Sequence, residues 1–156
     1  MTVIWRLVKK RHAEVSDAFD GDGARRYGGR WNLSGTRMVY TAQSLSLAAL
    51  EQFVHLGPED NHIQFVSFRV EIPEDLNIDK LESDKLPVDW RMEPPPDSTR
   101  RIGTQWAESG SSAVLRLPSV IIPTEYNYAL NPTHPDFRRI RIEEPKQFSF
   151  DPRMWK

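Results

Sequence analysis

Hydrophobic residues in this chain fall into short runs, and their spacing predicts strands more often than helices. Apolar, β-branched and aromatic residues dominate residues 3–8, 65–72 and 113–118, so we predict a strand at each. Shorter runs predict further strands at 37–41 and 137–142. Proline and glycine separate most of these runs, which is typical of strands joined by turns.

One helix is predicted to follow Ser44, because a serine hydroxyl caps a helix N-terminus well and apolar residues then recur at helical spacing. This helix is expected to span about twelve residues and to end at the Gly-Pro pair 57–58. The predicted buried stripe consists of Leu47, Leu50, Phe53 and Val54. Glu51 lies on the edge of that stripe, where a carboxylate can face a cleft.

A second helix is predicted over residues 98–109, with Ile102 and Trp106 four positions apart on one face. Strands and helices do not alternate regularly, so a parallel βαβ architecture is not expected. The fold class predicted is α+β (mixed α/β): a central, mostly antiparallel sheet with short flanking helices. A chain of 156 residues is predicted to form a single compact domain over residues 1–156.

Composition narrows the class of protein. A hydrophobic content of 38% with 28% charged residues is typical of a soluble globular chain, and no apolar run approaches the roughly 18 residues that a membrane span needs. The N-terminus lacks the features of a signal peptide, so a cytoplasmic location and no membrane contact are expected. The chain has no cysteine, and its four histidines show no paired spacing, so no metal site is predicted.

The positive charge is concentrated near the N-terminus, although the net charge is only −1. Residues 1–41 contain eight Lys and Arg against four Asp and Glu, whereas the rest of the chain is acidic. A nucleic-acid-binding domain usually has a larger basic excess spread over one face. The pattern therefore favours a small anionic ligand over direct binding of nucleic acid.

The segment 23–40 has the most distinctive composition, with four arginines, three aromatic residues and four glycines. Arginine binds phosphate through a planar fork of donors, aromatic faces stack on rings, and glycine lets a ligand approach the backbone closely. A nucleotide-like ligand would use all three properties. The alternative is a solvated glycine-rich loop whose arginines pair with nearby acids.

Six pieces of the sequence, in this order, resemble the RES-domain family, the toxin half of RES/Xre toxin–antitoxin modules. They are Trp5-Arg-Leu, Tyr27-Gly-Gly-Arg-Trp-Asn, Val39-Tyr-Thr-Ala, Ala48-Ala-Leu-Glu-Gln-Phe-Val-His, Leu117-Pro-Ser-Val and Glu125-Tyr-Asn-Tyr-Ala-Leu-Asn-Pro-Thr-His-Pro-Asp-Phe. Together they extend over nearly the whole chain. The resemblance implies a fold similar to that of ADP-ribosyltransferase toxins, an NAD substrate, no further cofactor and a cognate Xre-type antitoxin partner.

The resemblance also implies which residues form the site. The implied catalytic residues are Arg30, Glu51 and Ser119, the Arg, Glu and Ser that name the family, with Tyr40 as a fourth. The residues predicted to bind the substrate are Arg25, Arg26, Tyr27, Gly29, Trp31 and Asn127. Cleavage of the nicotinamide–ribose bond passes through an oxocarbenium-like sugar, which a carboxylate stabilises. Arginines would anchor the phosphates, Tyr40 would stack on nicotinamide, and Ser119 would position the substrate by a hydrogen bond.

Each assignment has a structural alternative. Arg30 and Glu51 are also compatible with a surface ion pair and a solvated helix edge. Tyr40 is also compatible with a core tyrosine, and Ser119 with a turn hydrogen bond. His134 and the asparagines near it are read as turn scaffolding more readily than as ligands.

Three functions compete at this stage. The leading one is a toxin that cleaves NAD, as a glycohydrolase or phosphorylase, with ADP-ribosylation of a protein target as its alternative. The second is a catalytically silent module that binds a nucleotide or only an antitoxin. The third is a nuclease or nucleic-acid-binding toxin. The acceptor of the ribosyl group, whether water, phosphate or protein, stays open.

Overall fold

One eight-stranded, mostly antiparallel sheet organises the chain in the computed structural model, which describes residues 1–156. The strands are β1 (Thr2–Lys9), β2 (Val39–Ala42), β3 (Phe65–Ile72), β4 (Ile78–Lys80), β5 (Val114–Pro118), β6 (Tyr126–Leu130), β7 (Arg141–Ile142) and β8 (Lys146–Phe148). Their order is β4-β5-β6-β2-β1-β3-β7, and β8 also pairs with β3. Every pairing is antiparallel except that of β4 with β5, so the predicted fold class is confirmed.

Four α-helices accompany the sheet: α1 (Val15–Ala18), α2 (Asp22–Tyr27), α3 (Leu45–Phe53) and α4 (Asp97–Ser109). Single 3-10 turns occur at Lys10–His12, Pro58–Asp60, Ser83–Lys85, Pro135–Arg139 and Pro152–Met154. None of these helices combines the length and the apolar character that a membrane span requires.

The main core forms around β1 and β3, which pair along their full lengths from Thr2 opposite Ile72 to Lys9 opposite Phe65. Ile4, Phe68 and Val70 are completely buried between the elements. The strands at 3–8, 65–72 and 113–118 were predicted from composition because β-branched and aromatic side chains pack well on a pleated surface. The structure confirms them, with small changes at their ends.

A second apolar cluster fixes α3 against the sheet. Leu47 and Ala48 are buried on the side of the helix that faces the sheet. Ser44 caps the helix by accepting a hydrogen bond from the Leu47 amide. The C-terminal residues Phe150 and Trp155 complete the cluster, with ring centroids 5.2 and 5.0 Å from that of Phe53. Aromatic pairs at this distance add to the energy of buried area, so the end of the chain stabilises α3.

The predicted buried stripe of α3 is wrong at two positions. Leu50 is 39% exposed and Val54 is 56% exposed, and the helix ends at Phe53, earlier than predicted. The helix rests on the sheet through Leu47 and Ala48, so the face that carries the two exposed residues points away from the core. Helical spacing identified the helix but not which of its faces is buried.

Two other predictions need correction. The start of the glycine-rich segment is not a loop, because Asp22–Tyr27 forms α2 between Gly21 and Gly28, both with a φ of 72°. Residues 137–142 are not one strand, because Pro135–Arg139 forms a 3-10 turn and β7 has only two residues. A left-handed φ favours glycine at both ends of α2, where a side chain would strain the backbone.

Gly103 on α4 packs directly against the backbone of the segment that follows α2, and a Cβ there would collide with the carbonyl oxygen of Trp31. Gly103→Ala is therefore expected to lower the free energy of unfolding by about 2–3 kcal/mol, since overpacking in a closed site forces the backbone apart. Gly23→Ala is the matched control, because nothing lies near a Cβ on that helical glycine. Urea denaturation should show the control unchanged or slightly stabilised, and equal effects would contradict the packing argument.

Candidate active site

A cleft of about 480 Å³ lies between α2, the C-terminal end of α3 and the turn after β5. Most of the predicted site residues line it: Tyr27, Gly29, Arg30, Trp31, Tyr40, Glu51 and Asn127. The remaining lining residues are Gly23, Ala24, Gly28, Val54, His55, Glu93, Val120 and Ile121. Arg25, Arg26 and Ser119 do not line it. Residues from both halves of the sequence thus converge on one concave surface of a size that suits a small ligand.

Glu51 is held at both carboxylate oxygens by neutral donors. The Asn127 side-chain amide donates to Oε1 at 2.8 Å, and the Ser119 hydroxyl donates to Oε2 at 2.9 Å. Partial burial raises the pKa of Glu51, and these two hydrogen bonds oppose the shift by stabilising the charged form. Glu51 has no salt-bridge partner within reach of its oxygens, so its charge is left to act on the cleft.

Ser119 is completely buried and positions Glu51. Its hydroxyl oxygen accepts hydrogen bonds from the amides of Ile121 and Ile122, at 3.1 and 3.2 Å. The single hydroxyl proton is therefore committed to Glu51. The turn hydrogen bond considered as the alternative is present, and it orients the serine toward the carboxylate rather than toward the cleft.

Tyr40 presents its ring to the cleft while its hydroxyl is used by the protein. The hydroxyl donates to Asn32 Oδ1 at 2.5 Å and accepts from the Trp31 amide at 3.1 Å. Burial raises the pKa of the Tyr40 phenol, so the group stays neutral at physiological pH. The hydroxyl is therefore committed to the protein, which leaves the ring as the part of Tyr40 that a stacking role would use.

Asn32 was missed by the sequence analysis, although it organises the wall of the cleft. It is completely buried, and its amide nitrogen donates to the carbonyls of Ala24, Leu33 and Thr36. A Cβ on Gly29 would come within 2.7 Å of the Tyr40 hydroxyl and 2.9 Å of Asn32 Oδ1, so only glycine fits there. The place of Asn32 in the Tyr27-Gly-Gly-Arg-Trp-Asn motif was a signal. Its partners lie within eight residues of it, but composition alone does not show that the turn folds around its side chain.

Arg30 extends along the cleft and reaches the segment before α4. One terminal nitrogen donates to the carbonyls of Trp90 and Met92 at 3.1 and 2.7 Å, and the other donates to Glu93 at 2.7 Å. Its side chain is only 14% exposed. These contacts hold the guanidinium at a fixed place in the wall of the cleft.

Two of the other three arginines of the glycine-rich segment, Arg25 and Arg26, lie outside the lining of the cleft. Arg25 and Arg26 on α2 both pair with Asp22 at the start of the same helix, at 2.6 and 2.8 Å. The alternative interpretation of the segment, in which arginines pair with nearby acids, describes these two residues. Their phosphate-binding role has no support in their position.

His55 and Arg6 are further residues near Glu51 that were not predicted. A small cavity of about 160 Å³ adjoins the cleft and is lined by both, together with Tyr40, Glu51 and Gln52. Arg6 donates to the carbonyls of Ala18 and Tyr40, and burial lowers the pKa of its guanidinium to about 10, so it remains charged at neutral pH. His55 lies four residues after Glu51, a spacing that could have identified it.

His134 and Asn131, which were predicted to stabilise a turn, lie outside the cleft. The His134 ring accepts a hydrogen bond from the Asp136 amide and contacts the Gly110 carbonyl at 3.0 Å. Asn131 is buried, donates to the carbonyl of Ala107 and accepts from Thr133. Both side chains join the end of α4 to the turn after β6.

A family model described as the RES domain matches residues 3–151. The chain belongs to the RES-domain family. A protein named Toxin Res from Yersinia enterocolitica is 42% identical over 97% of this chain and 99% of its own length. A Prs ADP-ribosylating toxin from a Sphingobium species is 36% identical, with 98% of this chain and 96% of the relative covered. The predicted membership of this toxin family is thus confirmed.

The fold is also found in a solved structure, that of the M. tuberculosis MbcT–MbcA toxin–antitoxin complex. The match has a TM-score of 0.74 and covers 94% of this chain and 84% of the other, at 15% identity. At that identity the likeness concerns the fold. It agrees with the predicted class of a mixed α/β domain around a mostly antiparallel sheet.

Removing the Tyr40 hydroxyl is expected to cost stability. Tyr40→Phe leaves the Asn32 oxygen without its donor and the Trp31 amide without its acceptor, so the free energy of unfolding should fall by about 1–3 kcal/mol. Tyr27→Phe is the matched control, because Tyr27 is 81% exposed and its hydroxyl makes no hydrogen bond within the chain. Chemical denaturation of both variants makes the comparison, and equal losses would contradict the bracing role.

Burial of Glu51 predicts a dependence of stability on pH. Because its pKa is raised in the folded state, the folded state binds the proton more tightly, and stability falls as pH rises above about 4.5, where an unfolded glutamate ionises. Glu51→Gln cannot ionise, so the difference in unfolding free energy between wild type and variant should shift against the wild type from pH 4 to 7. Urea titrations across this range measure it. A shift in favour of the wild type would mean that the two hydrogen bonds outweigh burial.

Proposed function

We propose that this protein is the toxin of a toxin–antitoxin module and that it cleaves the nicotinamide–ribose bond of NAD. The observation that carries the proposal is Glu51, a partly buried carboxylate that is fixed by two neutral donors and opens onto a cleft. Such a group stabilises a positive charge that develops beside it, because no cation of the protein neutralises it first. Arg30 and the rings of Tyr40 and Trp31 line the same cleft and suit the phosphates and rings of a dinucleotide.

Cleavage of the nicotinamide–ribose bond requires few catalytic groups beyond this arrangement. When the bond between ribose C1′ and the nicotinamide nitrogen breaks, its electron pair goes to the nitrogen and the cationic ring leaves as neutral nicotinamide. The ribose becomes oxocarbenium-like, and Glu51 stabilises that charge. An acceptor oxygen then bonds to C1′ and gives up a proton to solvent. No general acid is needed, because nicotinamide leaves as a neutral molecule.

The donors to Glu51 keep the carboxylate oriented through this reaction. Ser119 and Asn127 come from the turn after β5 and from β6, which are adjacent in the sheet. Ser119 contacts Glu51 from outside the lining of the cleft, whereas Asn127 lines the cleft beside Glu51. In this proposal Ser119 acts through Glu51 and does not touch the substrate.

An antitoxin partner is part of the proposal. The solved complex of similar fold is a toxin–antitoxin complex. The resemblance to the RES-domain family implies that the partner of this chain is of the Xre type. Exposed apolar side chains of Tyr27 and Val54, at 81% and 56%, lie at the cleft. Such exposed apolar groups favour a protein partner that covers this face.

The second candidate function is transfer of ADP-ribose to a protein. It is favoured by the relative named an ADP-ribosylating toxin, which is similar to this chain over almost its full length. Both reactions break the same bond and place the same charge beside Glu51. They differ only in the acceptor that captures the ribose.

The test is to incubate the purified chain with NAD, with and without phosphate, and to identify the products by mass. We expect free nicotinamide together with ADP-ribose or its phosphorylated form. Glu51→Gln should lower kcat by at least tenfold, because loss of about 1.4 kcal/mol or more of transition-state stabilisation corresponds to that factor. KM should change much less, because the carboxylate's charge matters most once the ribose becomes cationic.

Glu59→Gln is the control, because that glutamate is exposed and does not line the cleft. It should behave as wild type. Full turnover by Glu51→Gln would remove the carboxylate from the mechanism. If nicotinamide were released only when a protein acceptor was added, the transferase would be the function.

A further inference from the structure

The guanidinium of Arg30 is the cation of the cleft wall, and the protein's own acceptors already occupy its two terminal nitrogens. Nη1 donates to the carbonyls of Trp90 and Met92, which are neutral. Nη2 donates to the carboxylate of Glu93 at 2.7 Å, and this is the only charged partner of Arg30. Glu93 itself lines the cleft, so the ion pair lies where a ligand's anionic group would meet Arg30.

The two members of this pair differ in their freedom to move. The side chain of Arg30 is 14% exposed and is tied to two backbone carbonyls, whereas that of Glu93 is 70% exposed. No other side chain or amide donates a hydrogen bond to the Glu93 carboxylate. Glu93 can therefore turn into solvent while Arg30 stays in place, because water readily hydrates a carboxylate that is already 70% exposed.

We propose that Glu93 is a resident anion in the phosphate subsite: its carboxylate binds Arg30 in the empty cleft and is displaced by a phosphate of the substrate. This inference rests on the proposed function for the identity of the substrate as NAD. Glu93 thereby sets the affinity for the dinucleotide, since binding must break the Arg30–Glu93 pair and must bring two phosphate charges near a carboxylate. Its presence keeps the charge of a mostly buried guanidinium compensated when no substrate is bound.

Glu93→Gln tests the proposal in steady-state kinetics with NAD. The amide keeps the size of the side chain but competes weakly with phosphate, so KM should fall about twofold to fivefold, the range expected for one partly exposed ion pair. The effect should lie in KM and not in kcat, because Glu93 is absent from Arg30 in the bound state. A direct binding measurement by calorimetry with inorganic pyrophosphate should show the same increase in affinity, and adenosine, which has no phosphate, should show none.

Asp75→Asn is the matched control, because Asp75 is 75% exposed and pairs with Arg139 at 2.6 Å. It removes the same charge from a similarly exposed carboxylate, in an ion pair that does not line the cleft. A similar fall in KM for both variants would mean a general effect of net charge and would overturn the proposal. An unchanged or raised KM for Glu93→Gln would also overturn it, because Glu93 would then be neutral toward the substrate or would bind it.

The pyrophosphate titration separates this proposal from the proposed function. If the wild type consumed no NAD, the proposed function would fail, but tighter binding of pyrophosphate by Glu93→Gln would still support the resident anion. If the wild type cleaved NAD while Glu93→Gln bound pyrophosphate no more tightly, only the resident anion would fail.

Discussion

A carboxylate kept partly away from water, with a neutral donor on each oxygen, is the constraint on which the site depends. Burying Glu51 raises its pKa, and the hydrogen bonds from Ser119 and Asn127 are what keep the charged form accessible. The three residues come from a helix, a turn and a strand that are far apart in sequence. The sheet order places β5 beside β6, and the aromatic cluster at the C-terminus holds α3 against β1 and β2. The fold therefore brings these three residues together at one point of the cleft.

The opposite wall of the cleft follows a different rule, because its polar groups mainly satisfy one another. The hydroxyl of Tyr40, the amide of Asn32 and the absence of a side chain at Gly29 form a single arrangement in which no member can change alone. A buried polar network of this kind is rigid when every member is satisfied. This network holds the ring of Tyr40 at the cleft, and separate contacts with the segment before α4 hold the guanidinium of Arg30 there. Rigid positioning of this kind reduces the cost of ordering a ligand.

The sequence predicted well those features that depend on neighbouring residues, such as helix caps and strands. It predicted poorly those that depend on contacts between distant parts of the chain. The cap at Ser44 and the composition of 65–72 depend only on neighbouring residues, and the structure contains both the helix and the strand. The exposure of Leu50 depends on which face of α3 meets the sheet, and no local pattern contains that information. The hydrogen bond from Ser119 to Glu51 joins residues 68 positions apart. The family resemblance identified both residues, but only the structure shows that they touch each other.

The most direct test of the central claim is a crystal structure of the Glu51→Gln variant soaked with NAD, since slow cleavage would leave the dinucleotide intact. The account predicts that the nicotinamide ribose lies against residue 51 and the pyrophosphate against Arg30, with Glu93 turned away. It also predicts that the Ser119 hydroxyl contacts residue 51 and not the ligand. NAD bound with its ribose remote from residue 51, or bound outside the cleft altogether, would contradict the account.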